Sequence, residues 1–65
     1  MVRFMREFVA EVRRRGCITI DDAKEIAAKA GIKHVSMIQM IYRLKKKGII
    51  VSPKPGVYCR PPDRV

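Results

Sequence analysis

Residues 27–58 read AAKAGIKHVSMIQMIYRLKKKGIIVSPKPGVY, and the punctuation of this stretch sets the architecture. Gly31 follows Lys29 closely, and Gly48 follows Lys45-Lys46-Lys47. Cations suit the negative end of a helix, and a glycine just beyond it takes the left-handed conformation at little cost. Upstream, Arg13-Arg14-Arg15 followed by Gly16 repeats the signal. The chain therefore predicts three helix C-termini.

Between Gly31 and Gly48 the spacing predicts a helix over 34–47. At about 100° per residue, Met37, Met40, Ile41 and Leu44 fall on one side, which predicts its core face. Beyond Gly48, Ile49-Ile50-Val51 predicts a strand and Val57-Tyr58-Cys59 another, with Ser52-Pro53-Lys54-Pro55-Gly56 as the turn of a β-hairpin. Before Gly31, Thr19 is placed to cap a second helix, with Asp21 and Asp22 near its positive end. That helix turns Ala23, Ile26, Ala27 and Ala30 inward. Cys17-Ile18-Thr19 is too short and too β-rich for a helix and predicts a brief strand. The first helix, over 2–15, carries an apolar stripe of Met5, Phe8, Val9 and Val12. Arg3, Arg6, Glu7, Glu11 and Arg14 take its other side. The reading is one α+β domain over 1–60, three helices with a small antiparallel sheet, and a loose tail over 61–65 that begins Pro61-Pro62.

Composition narrows the function. The 65 residues hold 15 Lys and Arg against 6 Asp and Glu, a formal charge of +9. Such a surface attracts polyanions, nucleic acid first and an acidic protein or anionic membrane second. With 48% apolar residues the chain is no disordered basic tail. No apolar run approaches the roughly 18 residues that span a bilayer. The alternation of apolar and charged residues near the N-terminus does not read as a signal peptide. A cytoplasmic, membrane-free protein is expected. Two cysteines 42 positions apart and the single His34 leave no four-ligand zinc site. Glu7, Glu11, Asp21, Asp22, Glu25 and Asp63 form no convincing pair with His34 or a cysteine, and there is no phosphate loop or nucleophile elbow. The expectation is a binding module with no cofactor, and no enzyme.

The stretch 27–58 resembles many prokaryotic winged helix-turn-helix domains. The shared pattern is an alanine-rich helix, Gly-Ile, then a helix ending Leu-x-x-x-Gly followed by two apolar residues, here Leu44, Gly48, Ile49 and Ile50. GIIVSPKPGVY is similar to the wing of the C-terminal winged helix of archaeal minichromosome-maintenance helicases. A weaker likeness runs to a winged-helix protein of the archaeal small ribosomal subunit. The resemblance implies duplex DNA as partner, with helix 34–47 in the major groove and wing 52–57 on the flanking backbone, in a transcription regulator or a replication accessory. In this fold the first short strand pairs with the last, which would set Cys17 beside Cys59. A disulfide between them and two buried free thiols both remain open.

The candidate site residues follow. No acidic residue lies between Ile26 and Pro62, a span that holds Lys29, Lys33, Arg43, Lys45, Lys46, Lys47, Lys54 and Arg60. Within it, Lys33, His34, Ser36, Gln39, Tyr42, Arg43, Lys46 and Lys54 are the candidate nucleic-acid contacts. Val35, Ile38 and Tyr42 cluster almost opposite the core face of helix 34–47. An apolar stripe there has three readings: a surface for a protein partner or a homodimer, contact with thymine methyls beside Gln39 on adenine, or a core that wraps further around. An RNA-binding role in a ribonucleoprotein is a further alternative.

Overall fold

The structure is a computed structural model and describes residues 2–62. Its elements run α1 (Arg3–Arg15), β1 (Cys17–Thr19), α2 (Ile20–Ala30), α3 (His34–Lys46), β2 (Val51–Lys54) and β3 (Val57–Cys59). Three helices with a three-stranded antiparallel sheet bear out the α+β winged-helix expectation. The expected tail begins at Pro61 and Pro62 outside any helix or strand; 63–65 lie outside the described residues.

α1 buries Phe4, Phe8 and Val12, with Met5 and Val9 half-buried at the edges. The buried axis is thus turned by about one position from the expected stripe. Phe4 is the reason: its ring stacks on Phe8 at 5.5 Å, and Phe8 meets Tyr58 of β3 edge-on at 5.8 Å. These aromatic contacts couple the first helix to the sheet.

α2 starts in a capping box. The Asp22 backbone N–H donates to Thr19 Oγ1, and the Thr19 N–H donates back to Asp22 Oδ2 at 3.0 Å. Two donors that a helix start would leave unpaired are thereby satisfied. Ala23 and Ala27 are buried, and such small side chains allow close helix approach. At its end Gly31 stands at φ +70, where its N–H donates to Ala28 O and the Ile32 N–H donates to Ala27 O. That bond pair turns the chain sharply, so only Gly31, Ile32 and Lys33 separate α2 from α3. α3 buries Met37, Ile41 and Leu44, with Met40 half-buried beside them, and Gly48 closes it through the same bond pattern.

The sheet order is β1-β3-β2, with both pairings antiparallel. Two expectations need correction here. Ile49-Ile50 is not strand: the chain bends there, and Ile50 drops into the core. The hairpin turn is not Ser52–Gly56 but Pro55-Gly56 alone, because β2 runs on through Ser52, Pro53 and Lys54. Proline is tolerated in this strand because β2 is an edge, where a missing N–H need not cost a ladder bond. The register also shifts between Val51↔Cys59 and Lys54↔Val57, a one-residue irregularity that spans Pro53.

β1 and β3 alternate strictly, with Ile18 and Tyr58 facing the core. The Arg60 N–H donates to Gly16 O and the Ile20 N–H to Gly56 O, so the ladder extends past both ends of β1. Counting inward from the bonded Gly16/Arg60 pair, Cys17/Cys59 falls at a position without backbone bonds, where strands approach most closely. Their Cα atoms are 4.0 Å apart and a disulfide joins them. The bond lies on the outer face of the sheet, with Cys17 exposed and Cys59 half-buried, so neither sulfur belongs to the core.

Candidate nucleic-acid interface

Because Met37, Ile41 and Leu44 hold α3 to the core, the opposite face of that helix is fixed toward solvent. Val35 is 67% exposed, Ile38 41% and Tyr42 58%. The stripe is therefore surface, and the reading that made it core is corrected. Gln39, Arg43, Lys45 and Lys46 are exposed around it. The Lys46 ammonium stands 5.8 Å from the Tyr42 ring centre, a cation–π approach that draws the two side chains together.

The wing stands beside this face. An open groove of about 590 Å³ runs between α3 and the hairpin, with Ile38, Tyr42 and Lys45 on one wall and Ser52 through Gly56 on the other. Lys54 lies on the wing wall between Pro53 and Pro55, and the Ser52 hydroxyl donates to the Lys54 carbonyl at 3.0 Å. Prolines and this local bond stiffen the segment that carries the lysine. A second open hollow of about 460 Å³ brings Gln39 and Arg43 together with Ile38 and Tyr42.

The fold thus assembles Ile38, Gln39, Tyr42, Arg43, Lys46 and Lys54 on one side of the domain. It does not bring in every candidate. His34 borders a different, small hollow with Lys24, Ala28 and Ile32, on the side of α2. Ser36 is half-buried, whereas Lys33, the residue before α3, is exposed. Lys45 was not among the candidates. Its signal was helical spacing, since it lies three residues beyond Tyr42 and seven beyond Ile38, but only the position of the wing makes that spacing matter.

Charge is distributed unevenly. Arg3 pairs with Glu7 at 2.7 Å, Arg14 with Glu11 at 2.7 Å, and Arg15 with Asp22 at 3.4 Å. Hydrogen bonding from Arg14 holds the Glu11 carboxyl below the usual range, and the bond from the Thr19 backbone does the same for Asp22. Among the described residues, every ion pair falls on α1 or α2. Among the described residues, no carboxylate stands against the cations of α3 and the wing. Positive charge left unneutralised around a groove is what a phosphate backbone requires.

Residues 7–61 match the family described as transcriptional regulator, AbiEi antitoxin. The chain belongs to this family. The matched span takes in the helix-turn-helix and the whole wing, so the family assignment and the winged-helix fold describe the same part of the chain. Membership makes the domain a DNA-binding regulator at the coarse level. Comparisons with curated proteins and with solved structures return no match. Among the described residues no helix is long and apolar enough to cross a membrane, and no group of three or more His, Cys, Asp or Glu could hold a metal ion.

Proposed function

We propose that this domain is a transcription regulator that docks α3 into a DNA major groove and lays the wing along the neighbouring backbone. The observation that supports it is the groove between α3 and the wing, with Lys45 and Lys54 on facing walls and, among the described residues, no acidic residue on either. A strand of duplex backbone between the two grooves would pass there. In this docking Gln39 would meet base edges, while Arg43 and Lys46, toward the C-terminal end of α3, would meet phosphates. The domain acts by occupying DNA and carries out no reaction. The replication reading rests on the likeness of the wing alone, whereas family membership favours regulation.

Salt dependence of duplex affinity tests this reading. Each phosphate contacted adds about 0.9 to the slope of log K against log salt, and about five contacts fit a groove of this size. Affinity should then fall roughly 500-fold between 50 and 200 mM salt. Arg43→Ala and Lys46→Ala should each shallow the slope by about one contact. A flat dependence refutes DNA as the ligand, and equal affinity for duplex RNA refutes major-groove docking, because that groove of RNA is too narrow for a helix.

A further inference from the structure

The proposed docking leaves one feature of α3 unexplained. A helix that met only phosphates and polar base edges would have no use for exposed Val35 and Ile38, which cost solubility. The inference here rests on the DNA reading above and says what sequence that reading selects.

The major-groove edge of a base pair offers a single apolar group, the thymine methyl. We propose that Val35 and Ile38 read thymine methyls, so that the DNA site carries A·T pairs beneath the N-terminal half of α3. Three observations lead there. First, Val35 and Ile38 are exposed on the solvent side of α3, Ile38 at the rim of the groove that Ile41 also lines, and both lie within the half of a recognition helix that approaches base edges most closely. Second, Gln39 shares a hollow with Ile38, and a glutamine amide is matched to the groove edge of adenine, the partner of thymine. One A·T pair thus satisfies both neighbours. Third, from Val35 to Tyr42 the helix rises about 10 Å, which covers about three base pairs at 3.4 Å each. Tyr42, tethered to Lys46, closes the far end of the stripe.

A second copy of the chain is a poor occupant of the same face, since each copy brings a charge of +9. A protein partner would need to be both acidic and apolar. DNA supplies the negative charge from its backbone and the apolar group from thymine, and so accounts for both characters at once.

Deoxyuridine provides the test, because it differs from thymidine only by the methyl group. Duplexes selected by the full chain from a randomised pool should share A·T pairs over about three adjacent positions. Replacing thymidine with deoxyuridine there should weaken binding about fourfold per contacted methyl, the equivalent of about 0.8 kcal/mol. In Ile38→Ala, the penalty at one position should fall below about twofold, with the salt slope unchanged and the circular dichroism spectrum of the wild type. If deoxyuridine duplexes bind as tightly as the originals while the salt slope persists, methyl reading is wrong and DNA docking stands. If Ile38→Ala instead disrupts self-association and leaves duplex affinity and the deoxyuridine penalty intact, the stripe is a protein surface and the inference falls. Loss of salt-dependent duplex binding by the wild type would remove both.

Discussion

Reducing the Cys17–Cys59 bond is the perturbation whose size follows most directly from the structure. The two residues are 42 positions apart, so the link closes most of the chain into one loop. The loop-entropy relation gives about 13 cal/mol/K for that length, or about 4 kcal/mol at 25 °C. A domain of 65 residues holds roughly 3–10 kcal/mol in total at typical stability per residue. The bond thus carries a large part of the margin. At about 4–8 °C per kcal/mol, the melting temperature should drop by roughly 15–30 °C. The exposure of Cys17 lets a dithiol reach the bond without prior unfolding. Ile18 and Tyr58 remain buried beneath it, and backbone bonds at Gly16/Arg60 and Ile20/Gly56 still set the register. The reduced protein should therefore keep its far-ultraviolet spectrum at low temperature and differ only in its melt. The assay is a thermal scan with and without dithiothreitol, alongside the Cys17→Ser/Cys59→Ser double variant and intact mass under non-reducing conditions. Melting within about 3 °C in both states would refute the loop-closure reasoning. Two free thiols in the unreduced protein would refute the bond itself.

Further outcomes can be read from stability. Ile41→Ala, at a core position between Met37 and Leu44, should cost about 2–5 kcal/mol in urea unfolding, whereas Ile38→Ser should stay within about 1 kcal/mol. Equal costs would contradict the two faces of α3. Thr19→Ala should remove about 1 kcal/mol by opening the capping box. Asp22 is held below its ordinary value of 3.8 in the folded state, so its contribution is present above pH 3.8 and is lost as pH falls through the lower folded value. Asp22→Asn should accordingly flatten the stability profile below about pH 4, and an unchanged acid limb would show that the box adds nothing. Gly31→Ala, at φ +70 with open space around it, should cost about 1–2 kcal/mol from backbone conformation alone.

Much of the architecture was legible because its signals are local. Gly31 and Gly48 end helices through bonds made within five or six residues, and Thr19 with Asp22 starts one within four. Neither needs the rest of the chain. The two faces of α3 were legible for a similar reason: a 3.6-residue period separates Met37, Ile41 and Leu44 from Val35, Ile38 and Tyr42 in any helix. Net charge and the absence of carboxylates between Ile26 and Pro62 required only counting. What the sequence left open depended on contacts between distant residues. Ile49-Ile50-Val51 has strand character throughout, but the turn after Gly48 aims Ile50 into the core and delays pairing to Val51. Pro53 reads as turn until the strand order places β2 at an edge. Phe4 joins the core because Phe8 and Tyr58 stand where its ring can stack. The candidate site divided along the same line. The sequence supplied its cations and its apolar stripe. Packing alone decided that Lys45 and Lys54 would face each other across a groove and that His34 would sit on the side of α2, because those placements depend on where α2 and the wing lie against α3.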